Sequence, residues 1–341
     1  MRIGVLTGGG DCPGLNAVIR AVTRRCIVTY EYDVLGIRNG WKGLVDGDVE
    51  PLGLYAVSGI LHRGGTILGT SRTNPTKNKD DVRRVIDNMQ RYEIDALVVV
   101  GGNDTLHVGL ELFNRGLKVV GIPKTIDNDI LGTDFTFGFN TAVTTVTEAI
   151  DRLHTTAESH HRVMVVEVMG RHSGWIAVMS GIAGGADMIL IPEVPFDVDK
   201  VCDTLKKRHK QKKFSILVVA EGAVPTDGKL VLAGEGTDEF GNVRLGGIGQ
   251  VLGREIEKRS GIETRVTILG HIQRGGSPTA YDRVLATRFG VRAVDAVAEG
   301  QFGKMVALRS EAIGLVDIKE AILANKKVDM HLYEIAEIFF G

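Results

Sequence analysis

Paired cysteines, net charge, long apolar runs and nucleotide-binding fingerprints are all scarce in this 341-residue chain, and each scarcity removes a class of function. Its three cysteines (Cys12, Cys26, Cys202) show no CxxC pairing, which argues against a disulfide framework or zinc site and for a reducing compartment. A formal net charge of −1 gives no global electrostatic case for nucleic acid or an anionic membrane. The basic run Lys206–Lys213 reads as a solvated helix face, because no aromatic residues interleave with its lysines. The longest uncharged stretch, His172 to Ala186, is too short and too Gly-rich to span a bilayer. The chain opens on a strand-like run, Arg2–Thr7, so no signal peptide is expected and the expected location is cytoplasmic. There is no repeat of fixed period and no long Pro- or Ser-rich linker.

Glycine is abundant instead: 44 residues, nearly double the roughly 7% usual share. The glycines cluster at the ends of apolar runs, where a backbone must turn sharply or approach a ligand. Strands are expected at Ile3–Leu6, Val34–Ile37, Ala96–Val100, Lys118–Ile122, Val163–Val168, Met188–Ile191, Ser215–Ala220 and Arg265–Leu269. Several are apolar on both faces, which suits parallel strands covered by helices on two sides. Between them, Leu15, Val18, Ile19, Val22 and Cys26 share one helical face, and Ala142, Val146, Ala149, Ile150 and Leu153 share another. The alternation predicts an α/β fold, and the length predicts two lobes, each a parallel or mixed sheet flanked by helices.

Ligands of such sheets bind at the carboxyl ends of strands. Four strand ends carry unusual residues: Gly8–Asp11, Gly101–Asp104, Pro123–Asp129 and Met169–Arg171. The first matches neither GxGxxG nor a Walker-A loop; it is either a phosphate cradle or a tight packing turn. Asp104 is either the cap of the following helix or a Mg²⁺ ligand beside a Gly pair. Asp127 and Asp129, preceded by Lys124 and Thr125, fit a general base paired with a metal ligand, against the alternative of an Asx-turn with solvated aspartates. Arg162, Arg171, Arg265 and Arg274, with His271, flank strands or Gly-rich turns, a pattern suited to a phosphorylated substrate.

Taken together, Thr7–Asp11 with Pro13–Asn16, Pro123–Asp129, Met169–Arg171 and Leu269–Gly276 resemble the phosphofructokinase family in order and spacing, from Arg2 to about Gly303. The resemblance implies that Asp127 is the general base for the 1-hydroxyl of fructose 6-phosphate, with Thr125 and Asp129 flanking it and Asp129 near Mg²⁺. It implies that Arg72 stabilises the transferring phosphoryl group and that Gly9 and Gly102 contact the donor phosphates. Met169, Gly170, Arg171 and Glu221 would hold the sugar, and Arg162, Arg265, His271 and Arg274 its 6-phosphate. Arg162 and Arg265 would come from a neighbouring subunit, so a homo-oligomer (dimer or tetramer) with shared sites is expected. The donor lobe would span 1–138 with a return over about 273–320, and the sugar-phosphate lobe 139–272. The tail 321–341 is helical in pattern, with no legible chemistry.

Two positions bear on the donor. Asp104 and Lys124 stand where ATP-dependent relatives usually have Gly, and both resemble the pyrophosphate-dependent branch. An aspartate there adds bulk and negative charge against a nucleotide's α-phosphate. Lys124 would offer its ammonium to pyrophosphate. Asn103 replaces the family's metal-proximal acid, so the expected metal set is Asn103, Asp104 and Asp129. The alternatives are an ATP-dependent enzyme, a pyrophosphate enzyme acting on another sugar phosphate, and a non-catalytic sugar-phosphate-binding subunit.

Overall fold

A computed structural model of the chain describes residues 1–226 and 247–341. Eleven strands among these residues form two sheets. The first sheet contains β1 (Arg2–Thr7), β2 (Asp33–Ile37), β3 (Val49–Pro51), β4 (Ala96–Gly101) and β5 (Val119–Pro123). The second contains β6 (Val163–Val168), β7 (Met188–Leu190), β8 (Ser215–Ala220) and β9 (Thr264–Ile268), after which β10 (Lys304–Arg309) and β11 (Ala312–Asp317) return to the first. The strand orders are β11-β10-β5-β4-β1-β2-β3 and β7-β8-β6-β9. All eight expected strands are present, with ends shifted by at most one residue.

Three strands went unpredicted: β3, β10 and β11. β3 pairs antiparallel with β2 and β11 antiparallel with β10, so the first sheet is mixed at both edges. β3 and β11 are edge strands and partly exposed, and the buried apolar run of β10, Met305–Leu308, is only four residues long and bounded by Lys304 and Arg309. By contrast, β4 is buried along its whole length because helices cover it from both sides. Helix Leu15–Tyr30 buries the predicted Leu15, Val18, Ile19, Val22 and Cys26 and packs on helix Ala280–Ala298. In helix Phe139–His160, Ala142, Val146 and Ile150 are buried, while Ala149 and Leu153 are partly buried against the same core. Asp282, fully buried, caps that helix from outside by accepting Thr141 N–H at 2.8 Å.

The ladder register is what positions the site. Thr7 pairs with Val100 and Gly101 with Pro123, so the turns after β1, β4 and β5 emerge side by side. In the second sheet, Val168 pairs with Ala220 and Glu167 with Ile268, so Met169–Arg171, Glu221 and the short 3-10 helix Gly270–Arg274 also emerge together. Among the described residues, no helix is long and apolar enough to cross a membrane.

Candidate active site

The two sets of strand ends enclose a cavity of about 530 Å³. On the first sheet's side, the turn after β1 is cross-tied at three points. Gly8 N–H donates to Val100 O (2.9 Å), Gly9 N–H to Ser71 O (3.1 Å), and the Thr70 hydroxyl to Gly9 O (2.6 Å). Gly9 has φ +77°, a left-handed conformation that side chains rarely adopt. The same ties fix the irregular segment 69–73, whose Arg72 lies on the cavity wall. A Cβ on Gly101 would lie 2.3 Å from Thr105 Cβ, so only glycine lets Thr105 tuck beneath this turn.

Gly102, not Asp104, is the N-cap residue of helix Asn103–Phe113, and it makes no side-chain cap bond. The capping reading of Asp104 is therefore overturned. Asp104 lies within the first turn, exposed and on the cavity wall beside Gly102 and Asn103. A carboxylate there complements the helix dipole.

Lys124 is buried, 3% exposed, with its ammonium donating to Gly10 O beneath the first turn. Burial pushes its pKa down from the ordinary lysine value. Beyond it, the turn chemistry expected of the aspartates is carried by other residues. Asn128, fully buried with φ +51°, accepts Thr136 N–H at 3.1 Å and donates to Asp134 O at 3.3 Å. The Thr125 hydroxyl accepts Asp127 N–H at 3.1 Å and also bonds Asp129. This leaves both aspartates facing the cavity. Asp127 Oδ1 is sealed from solvent with no hydrogen-bond partner among the described residues. Burial raises the Asp127 pKa, opposed by Arg274, Arg171 and Lys124. Burial and then the charge of Asp127 push Asp129 up to about 7. Two half-sealed carboxylates of this kind can take up a proton or a cation.

On the second sheet's side, Met169, Arg171, Glu221, His271 and Arg274 line the cavity. Gly170 stands behind the wall, its carbonyl accepting Gly222 N–H at 3.1 Å and so tying the turn after β6 to that after β8. Arg274 crosses to the opposite side, its Nη1 donating to Asp11 O at 3.2 Å. Arg162 and Arg265 do not line this cavity. Both guanidinium groups engage Glu263 instead, Arg162 at 2.8 Å, and Arg265 sits on β9, the edge strand.

Phosphofructokinase is the family whose profile matches residues 2–297. The chain belongs to the phosphofructokinase family. It is 59% identical to the pyrophosphate–fructose 6-phosphate 1-phosphotransferase of Streptomyces coelicolor, covering 100% of both chains. It is 54% identical to ATP-dependent 6-phosphofructokinase 3 of the same organism, covering 99% of each. Among solved structures, phosphofructokinase from Saccharomyces cerevisiae matches with a TM-score of 0.80 and 34% identity, over 99% of this chain and 46% of that longer one. Pyrophosphate-dependent phosphofructokinase from Marinobacter aquaeolei, 22% identical, shares the fold with a TM-score of 0.84 over 97% of this chain and 86% of that one.

The phosphofructokinase cavity includes residues that sequence reasoning did not single out. His172 lines it next to Arg171, with burial and then Arg171 holding its pKa low. Buried Gln273 accepts Met169 N–H at 3.2 Å and donates to Gly270 O at 3.0 Å, fastening β6's turn to the Gly270–Arg274 helix. Asn325, from the tail in which the sequence showed no legible chemistry, also lines the cavity. As for a metal, no group of three or more His, Cys, Asp or Glu among the described residues is arranged to hold one. Mg²⁺ carried by phosphates needs only one or two protein oxygens beside its waters. Asn103, Asp104 and Asp129 line the cavity and could supply such oxygens.

Proposed function

We propose that this phosphofructokinase transfers a phosphoryl group from pyrophosphate to the 1-hydroxyl of fructose 6-phosphate, reversibly, with Mg²⁺ bound to the donor. The observation that carries the donor assignment is Asp104 itself. Its carboxylate stands in the first turn of helix Asn103–Phe113, on the wall where a nucleotide's α-phosphate and ribose would need room. Like charge at contact distance there costs a nucleotide several kcal/mol or so, while pyrophosphate ends before reaching it. Three relatives at 58–59% identity carry the pyrophosphate name, which supports the same reading.

The chemistry is in-line transfer, dominated by positioning and charge neutralisation. Gly9 and Gly102 let the backbone approach the donor, with the Gly102 amide offered to it while the Gly9 amide holds Ser71 O, and Lys124 and Arg72 offset its charge. Met169, Gly170, Arg171 and Glu221 orient the sugar, and His271 and Arg274 take its 6-phosphate. Asp127 accepts the 1-hydroxyl proton as the new O–P bond forms; the bridging P–O bond of pyrophosphate breaks and inorganic phosphate leaves. Mg²⁺, held by Asn103, Asp104 and Asp129, would supply charge neutralisation to the donor oxygens. Arg162 and Arg265 complete the 6-phosphate site of a neighbouring subunit, so the working unit is a homo-oligomer, which the absence of a membrane-spanning helix among the described residues leaves free to act in the cytoplasm.

The test is initial rate on the purified protein with fructose 6-phosphate and Mg²⁺, comparing pyrophosphate with ATP at matched concentrations. Strong turnover with pyrophosphate and little with ATP is expected. The second reading, an ATP-dependent enzyme, is favoured by the relatives at 51–54% identity that carry that name. Robust ATP turnover with none from pyrophosphate would establish it instead.

A further inference from the structure

After helix Ile318–Ala321 the chain leaves the first sheet, and its last helix, Met330–Glu337, packs on β7 and helix Trp175–Ala183 of the second. The few residues between make a short tie. Asn325 forms an isolated antiparallel bridge with Ile130, and Lys326 N–H donates to Asp129 O at 2.8 Å. Lys326 Nζ donates to Thr133 O (2.9 Å) and Asp134 O (2.8 Å), which completes the grip on the segment following Asp127. The next two residues hold the other wall. Lys327 Nζ donates to His172 O at 3.0 Å, and Val328 N–H to Glu193 Oε1 at 3.1 Å. Glu193 Oε1 also accepts Gly174 N–H at 3.1 Å, with Oε2 at 3.0 Å from the same nitrogen. A Cβ on Gly174 would lie 2.4 Å from Ile191 Cγ2, so only glycine lets this turn close on the segment that carries Glu193.

These contacts divide the Met169–Gly174 turn into two halves with different supports. The first half is tied within the second sheet's own side, Met169 N–H to Gln273 and Gly170 O to Gly222 N–H. The second half, His172 to Gly174, is held by Lys327 and Glu193, that is, by the tail and by the side chain to which the tail is clipped. Arg171, on the cavity wall, lies between the two halves. A carboxylate that accepts backbone N–H groups from two separate segments joins them through charge-assisted bonds. We infer that Glu193 is a positioning residue: by clipping the sugar-side turn to the tail, it sets the distance from Arg171 to the Asp127–Asp129 turn that the same tail holds two residues earlier. Without the clip, the sugar-side turn is free to drift from Asp127. The donor cradle, tied to Val100 and Ser71 within the first sheet's side, stays in place. This role rests on the sugar-site reading given above.

The experiment compares the full chain as wild type, Glu193→Ala, Glu193→Gln and Lys327→Met. Steady-state rates give kcat and the fructose 6-phosphate KM, calorimetry gives the pyrophosphate Kd, and amide hydrogen exchange follows residues 169–174. In Glu193→Ala, kcat falls about tenfold to a hundredfold and the sugar KM rises about threefold to tenfold, because misplaced reactants lose rate steeply. The pyrophosphate Kd stays within about twofold, and exchange over residues 169–174 quickens by about tenfold or more. Glu193→Gln keeps a carbonyl oxygen where Oε1 accepts both N–H groups, so all four readings stay within about threefold of wild type. Lys327→Met removes one tail-to-turn bond from an exposed side chain and shows the alanine pattern at about twofold to fivefold. It decides the matter if Glu193→Ala does not fold. Unchanged exchange over the turn, a glutamine variant as impaired as the alanine, or a pyrophosphate Kd that rises in step with the sugar KM overturns the inference. A wild type inactive on fructose 6-phosphate would sink the sugar-site reading; the exchange comparison needs no substrate and judges the clip by itself.

Discussion

On the first sheet's side of the cavity, Gly9, Gly102 and Thr105 present backbone and short side chains from adjacent strand ends, while on the second sheet's side Arg171, His271 and Arg274 reach in on long ones. The first wall is fixed by backbone-to-backbone ties and is complete within one chain. The second depends on flexible cations, and two of its expected members, Arg162 and Arg265, face Glu263 instead of the cavity. A compact, highly charged donor suits a rigid cradle, because positioning errors there fall directly on the transferring phosphorus. A sugar phosphate can be gripped at its remote end by side chains that order only on binding, and even by a second copy of the chain.

The largest expected effect lies where the walls meet. Asp127→Asn removes the sealed carboxylate that both walls face, and turnover falls by about 10²–10⁴ with little change in the fructose 6-phosphate KM. Rapid-mix rates with the purified variant check this, and near-normal turnover would mean that neither wall serves that chemistry. Next, Arg162→Ala and Arg265→Ala each raise the fructose 6-phosphate KM roughly tenfold to a hundredfold and leave the donor KM unchanged, as expected for lost charge-assisted bonds. Mixing Arg162→Ala with Asp127→Asn, then dissociating and reassociating them, restores activity only if sites are shared between subunits. No recovery would place both arginines outside the reaction. On the rigid wall, Asp104→Gly raises kcat/KM for ATP by about tenfold or more by removing like charge from the α-phosphate position. An ATP rate indifferent to the substitution would return Asp104 to a helix-dipole role.

How far each wall was legible in the sequence follows from the range of the interactions that build it. β1 and β4 declare themselves through apolar residues on both faces, and the glycines that follow them mark the turns. Asp127 and Asp129 stood out because two carboxylates two residues apart at a strand end must be held apart by something. That Asn128 and Thr125 do the holding depends on Thr136 and Asp134, and so on the fold. Asp104 was open to a capping role because only two residues of register separate it from the cap, and only the backbone places Gly102 there. Asn325 left no signal at all, since it meets Asn103 across 222 residues of sequence. The β10–β11 hairpin was missed for a related reason: β10 offers only the short apolar run Met305–Leu308, and β11 is a partly exposed edge strand held by its pairing with β10.

The smallest effect concerns charge burial, which the two walls use with opposite sign. Burial pushes Lys124 down on the first wall, and on the second it pushes Glu221, with help from Asp127, up to about 7 from an ordinary value of 4.5. A carboxyl whose folded pKa is raised binds its proton more tightly in the folded state, so its contribution to stability is whole below 4.5 and is lost as pH rises toward 7. Glu221→Gln carries no such proton. Its thermal midpoint without ligands should therefore gain on that of the wild type between those two pH values and run parallel above them, by no more than a few degrees for a protein of this size. Calorimetric melts of the two proteins across that window measure the gain directly. A constant difference would mean that Glu221 titrates as though exposed, and the second wall would then be wetter and looser than its buried carboxyl implies.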